Sequence, residues 1–252
     1  MLGDRPRLQS ILLLISVGGA LSLSRVVRVC TNRDCRQAGG GPPLVSAFRS
    51  LLPPQSDTDD EGLNLLIEPS GCLSQCGRGP NVSCSSGGGG GDDRLFTGVA
   101  DVTTASAILD IVAPDIDFPI GLLVATSKIS ESQRCVAPAT TREGLLTEAI
   151  TAMSNVEPGG LERSFAFGFA HCLRADARLD LSDGKGALSD ARVAVDVLPD
   201  EGMAWRVLSR CEEEAGSVSA AIDALCRWRR VDGASATKAS NEIARLRAVT
   251  ST

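Results

Sequence analysis

Four cysteines are spaced as they would be if they shared a metal. Cys30 and Cys35 are separated by four residues, Cys72 and Cys76 by three, and 36 residues lie between the two pairs. Thiolate is a soft ligand that favours zinc or iron–sulfur clusters, and a four-thiolate site does not suit magnesium or calcium. Pairs separated by two to four residues suit a structural zinc, and four cysteines equally suit a [2Fe-2S] cluster. Two disulfides are a third reading and four unrelated core thiols a fourth. The setting argues against the fourth. Each pair follows a short apolar run and enters a polar loop, and SGCLSQCGRGPN (70–81) carries Gly71, Gly77 and Gly79. Glycines permit close backbone approach and left-handed dihedrals, and irregular backbone can aim N–H groups at sulfur. Spacing by itself leaves cluster and zinc open.

The residues around the cysteines favour the cluster. VCTNRDCRQAGG (29–40) followed by SGCLSQCGRGPNV (70–82) resembles the thioredoxin-like [2Fe-2S] ferredoxin family. That family includes the ferredoxin-like small subunit of respiratory complex I and of related hydrogenases and dehydrogenases. Both pairs, their separation and the C-G-x-G-P segment match together, over about residues 25–113. The resemblance implies a thioredoxin-like α/β core without a thioredoxin C-x-x-C, and a cluster ligated by Cys30, Cys35, Cys72 and Cys76. It also implies a one-electron carrier that is not by itself an enzyme and that meets a redox protein partner near the cluster. The alternative is a zinc-stabilised adaptor or scaffold protein acting through its helices. Cys84 and the glycine run 87–91 depart from the family, which has a regular hairpin there. Arg28, Arg33, Arg36 and Arg78 lie within two residues of a cysteine of the set. They either moderate cluster charge and dock an acidic partner or are ordinary solvated surface.

The rest of the composition excludes more than it suggests. With one histidine, His171, among 252 residues, no metal site or catalytic scheme needing two is available. Aromatics are 3% and the net charge is −6, so neither a base-stacking platform nor a basic duplex-binding footprint is expected, and no nucleic-acid partner. Cys84, Cys135, Cys172, Cys211 and Cys226 lack pair spacing and read as ordinary thiols. His171 adjoins Cys172, but neighbouring residues on a helix point in different directions. The glycine run lacks the G-K-[ST] element of a phosphate loop. The acidic run Asp57 to Glu61 reads as a solvated connection.

Those cysteines need elements to carry them. Residues 1–24 read as a signal or targeting segment: Arg5 and Arg7 precede an apolar run from Ile11 to Leu23. The run falls short of the roughly 20 residues of a membrane span, so no stable span is expected once the signal is removed. An organelle reached through that signal, a plastid by the family resemblance, reconciles a leader with cluster assembly; a secreted or mitochondrial protein is the alternative. Residues 25–113 alternate strand and helix signals in the order β-α-β-β-β-α, a small α/β layer structure. VVRVC (26–30), LNLLIEP (63–69), NVSC (81–84) and RLFTGVA (94–100) are the strands. LVSAFRSLL, between two proline pairs, and ASAILDIVA, capped by Thr103 or Thr104, are the helices. Residues 114–141 are expected to link two bodies, and 142–252 to be helical throughout. Within that part Trp205, Leu208, Ser209, Gly216, Ala221, Leu225 and Trp228, with Ala187, Ala191, Ala194 and Pro199 before them, resemble a degenerate tetratricopeptide repeat over roughly 158–233. The resemblance implies an all-α helical domain that docks a partner.

Overall fold

A computed structural model describes residues 25–54, 65–85, 93–114, 117–134, 137–156 and 160–250. The expected targeting segment (1–24), the acidic connection, the glycine run and Cys135 lie outside the described residues.

Alternation of β-branched and polar residues in RVVRVC gives strand β1 (Arg25–Cys30), with Val27 and Val29 buried. A one-turn helix α1 (Arg33–Gln37) and helix α2 (Pro42–Ser50) follow; two prolines open α2, where a missing N–H costs nothing. Strands β2 (Leu65–Ser70), β3 (Asn81–Ser85) and β4 (Arg94–Thr97) and helix α3 (Val102–Val112) complete a small mixed α/β unit. The sheet order is β2-β1-β3-β4. β1 pairs parallel with β2 and antiparallel with β3, and β3 pairs antiparallel with β4. β2 runs one residue past Pro69, which a strand on the sheet edge tolerates. Val27, Val29, Ile67 and Val82 from the sheet pack with Phe48 of α2 and Leu109 of α3.

Two local expectations change. The cap of α3 is Asp101, two residues before Thr103: its carboxylate accepts the Thr104 N–H at 2.7 Å and the Thr104 hydroxyl at 2.9 Å. A carboxylate at that position satisfies an amide that the helix leaves unpaired. The expected irregular link at 114–141 is occupied by a 15-residue helix, α4 (Ile120–Arg134). Leu122, Ala125 and Ile129 recur at helical spacing and are buried, and the prolines that suggest a loop flank the helix instead of interrupting it.

Helices α5 (Ala139–Ser154), α6 (Phe165–Asp180), α7 (Gly184–Val197), α8 (Gly202–Glu214), α9 (Val218–Val231) and α10 (Ala236–Thr250) form the rest. Successive helices pack on one another from α4 to α10. Fully buried alanines, Ala187, Ala191 and Ala194 on α7 and Ala221 on α9, let neighbouring helices approach closely. The two parts touch: Leu123 of α4 packs on the sheet core while Leu122 joins the helical core. Arg49 of α2 also pairs with Glu201 at 2.9 Å. Among the described residues no helix is long and apolar enough to cross a membrane.

Candidate metal centre

The four cysteines converge because β1 and β2 are parallel neighbours in register, Cys30 opposite Ser70. Both strands therefore release their chains at the same end of the sheet. Thr31 fastens the two exits together, donating its N–H (2.9 Å) and its hydroxyl (2.8 Å) to the Ser70 carbonyl. Cys30 ends β1, Cys35 lies on α1, and Cys72 and Cys76 lie in the loop after β2. Antiparallel β3 begins beside them, its Val82 opposite Val29.

The sulfurs form two unlike pairs. Cys30 and Cys35 are buried and hydrogen-bonded to each other; Cys72 and Cys76 are exposed, with 3.5 Å between their sulfurs. Across the pairs, Cys76 interacts electrostatically with both Cys30 and Cys35. Among the described residues no three His, Cys, Asp or Glu side chains close around a single ion position.

The protein surrounds this sulfur with donors. Burial pushes the Cys30 thiol up, but N–H groups of Asn32 and Leu73 and the Cys35 side chain outweigh it, so the thiol sits below its ordinary value. Cys35 moves the other way. Burial raises it, and the bond to Cys30 and that neighbour's charge add to the rise, against a donor at the Asn81 backbone. Of the two, the Cys30 sulfur is the readier anion. Cys76 is raised by its hydrogen bond to Cys72 and that sulfur's charge. The Ser74 N–H lies 3.4 Å from Cys72 Sγ, with Ser74 itself in a left-handed conformation at φ 60°. Gly79 lets the loop close: a Cβ there would stand 2.9 Å from Cys35 Sγ. Gly77 meets a different need, at φ 89°.

Of the four arginines expected nearby, Arg28 lies 3.7 Å from Glu68 on β2, and Arg36 lays its side chain against Gly41. Arg33 and Arg78 are exposed beside the loops. Three of the remaining thiols, Cys84, Cys172 and Cys211, are buried. Burial pushes Cys84 and Cys211 up to about 12, and Cys172 is raised further by the same cause.

Two features escape a reading by spacing. Asn81, directly after Gly79-Pro80, is buried and donates to both cysteine loops, to the Gln75 carbonyl at 2.9 Å and to Cys35 Sγ at 3.7 Å. Its position at the start of a strand beside a glycine-rich cysteine loop is the only sequence signal for it. His171 belongs to a buried polar network on α5, α6 and α7: its Nδ1 is 2.8 Å from Asp190 Oδ1. Arg174 and Arg178 also bind Asp190, and Arg178 reaches Glu143 at 3.1 Å. His171, Arg174 and Arg178 share a helix face by spacing, but their partner Asp190 could not be read from it. No protein-family model, no curated protein and no solved structure matches the chain.

Proposed function

We propose that the chain is a one-electron carrier holding a [2Fe-2S] cluster through Cys30, Cys35, Cys72 and Cys76. In this reading residues 25–113 are a thioredoxin-like α/β domain and the helices after them a tetratricopeptide-like docking domain. The observation that carries it is the arrangement of four sulfurs as two close pairs at the end of two parallel strands. A tetrahedral zinc, at about 2.3 Å from each sulfur, would draw all four within about 3.8 Å of one another. A cluster with two irons asks only for two sulfurs at each iron. The zinc-adaptor alternative therefore fits these positions less well.

When bound, such a cluster supplies one-electron chemistry. The chain's own residues do the rest. N–H groups at Asn32, Leu73 and Ser74 stabilise negative charge on sulfur. The buried pair anchors the site, and the exposed pair, Cys72 and Cys76, gives a partner an open edge for electron exchange. Arg33 and Arg78, both exposed and each two residues from a cysteine of the set, suit an acidic redox partner. The helical reading is supported by starts 34 residues apart, Gly184 to Val218 and Gly202 to Ala236. A groove of about 660 Å³ between α8 and α10, lined in part by Arg206, Arg210, Lys238 and Arg245, offers a second docking surface.

Metal content tests the proposal. The full chain, purified without oxygen or rebuilt with iron and sulfide, should carry about two irons per chain and no zinc. Cys72→Ser, at an exposed position, should keep the fold and lose the iron, whereas Cys226→Ser should keep both. One zinc per chain, or iron retained by Cys72→Ser, would overturn it.

A further inference from the structure

Asn81 is 1% exposed and opens β3. Its side-chain amide places both hydrogens on sulfur-site acceptors, one on the Gln75 carbonyl between Cys72 and Cys76, the other on Cys35 Sγ. Its backbone N–H also donates to the Cys35 sulfur. The Gln75 carbonyl can only accept, so the amide nitrogen must face it and the amide stands this way round. Its Oδ1 is buried without a partner. An orphaned acceptor is a standing cost that a leucine of similar volume would avoid. Packing alone therefore does not account for an asparagine here; two donors aimed at two acceptors do.

We infer that Asn81 is a positioning residue of the cysteine site: it ties both cysteine loops to β3 and raises the reduction potential of the group they hold. The inference rests on the proposed [2Fe-2S] reading. An added electron increases negative charge on the ligating sulfurs, so a donor on Cys35 Sγ favours the reduced form. Asn81 bonds the segments of both cysteine pairs from outside them, standing on β3.

The test compares wild type with Asn81→Leu and Asn81→Asp, each as the full chain rebuilt with iron and sulfide and titrated anaerobically by visible absorbance. Both variants should hold as much iron as wild type. Asn81→Leu should shift the one-electron equilibrium about ten-fold toward the oxidised form, a potential lower by about 59 mV. Asn81→Asp, with a negative charge beside the sulfur, should shift it further. Iron-loaded variants with the wild-type potential would overturn the inference and leave the cluster reading standing. If a variant takes up no iron, thermal melting of the metal-free proteins decides. A wild-type melt supports loop tying, and a lost fold reduces Asn81 to a structural residue and overturns the inference. Wild type without iron overturns the cluster reading, and the inference falls with it.

Discussion

Cys30 and Cys35 have the same side chain and opposite tendencies, and the difference comes from what touches each sulfur. Cys30 ends a strand where N–H groups of Asn32 and Leu73 meet it; Cys35 sits on α1 with a charged neighbour and fewer donors. Gly79 is part of the same balance, since a methyl group there would press on Cys35 Sγ from 2.9 Å. Gly79→Ala should turn Cys35 out of its rotamer, a strain of about 1 kcal/mol, and misplace one ligand. We expect fewer irons per chain by chemical assay with little change in metal-free stability; full iron content would contradict this. Each cysteine pair was legible because its own spacing is local. Asn81 was not, because its role exists only once β3 lies against β1. The Arg28–Glu68 contact has the same origin: the parallel register sets those residues opposite each other across 40 positions of sequence.

At the scale of elements, the α5–α6–α7 packing encloses a carboxylate. Asp190 is 3% exposed; burial would raise its pKa, but hydrogen bonds from His171 and Arg174 hold it below the ordinary carboxylate value. Removing it leaves Arg174, only 12% exposed, without the carboxylate it pairs with, and Arg178 with the carboxylates of Glu143 and Asp183 alone. Asp190→Ala should cost about 3 kcal/mol, read as a lower urea midpoint at pH 7. The sign with pH follows from the depressed value. Asp190 adds stability that is fully present above its unfolded value near 3.8 and is lost as pH falls through its lower folded value. Wild type should thus weaken as the medium is acidified below that range. Asp190→Ala should weaken less steeply; parallel curves would contradict the role given to the carboxylate. The strands of the sheet were readable from their β-branched runs. Helix α4 was not, because Pro114, Pro119 and Pro138 dominate a reading of 114–141, while the alignment of Leu122, Ala125 and Ile129 emerges only when they meet the helical core.

Across the whole molecule, the α/β unit presents its cysteine end to solvent while its helices α2 and α3 face α4. α4 contributes to both cores, and Arg49 spans from α2 to Glu201 while lying over the Phe165 ring at 5.8 Å. A carrier built this way would keep its open cysteine edge and its charged helical groove in one molecule, with an acidic net charge of −6 overall. The order of the four strands and of helices α2 and α3 was legible in the chain, whereas the one-turn helix α1 and helix α4 were not. The contact between the halves was not, since it depends on side chains far apart in sequence. The most direct measurement is electron paramagnetic resonance of the anaerobically purified full chain before and after dithionite. A [2Fe-2S] carrier gives visible charge-transfer bands that bleach on reduction and a reduced-state signal of about one spin per chain. A colourless protein with bound zinc and no signal after dithionite would contradict the proposed function.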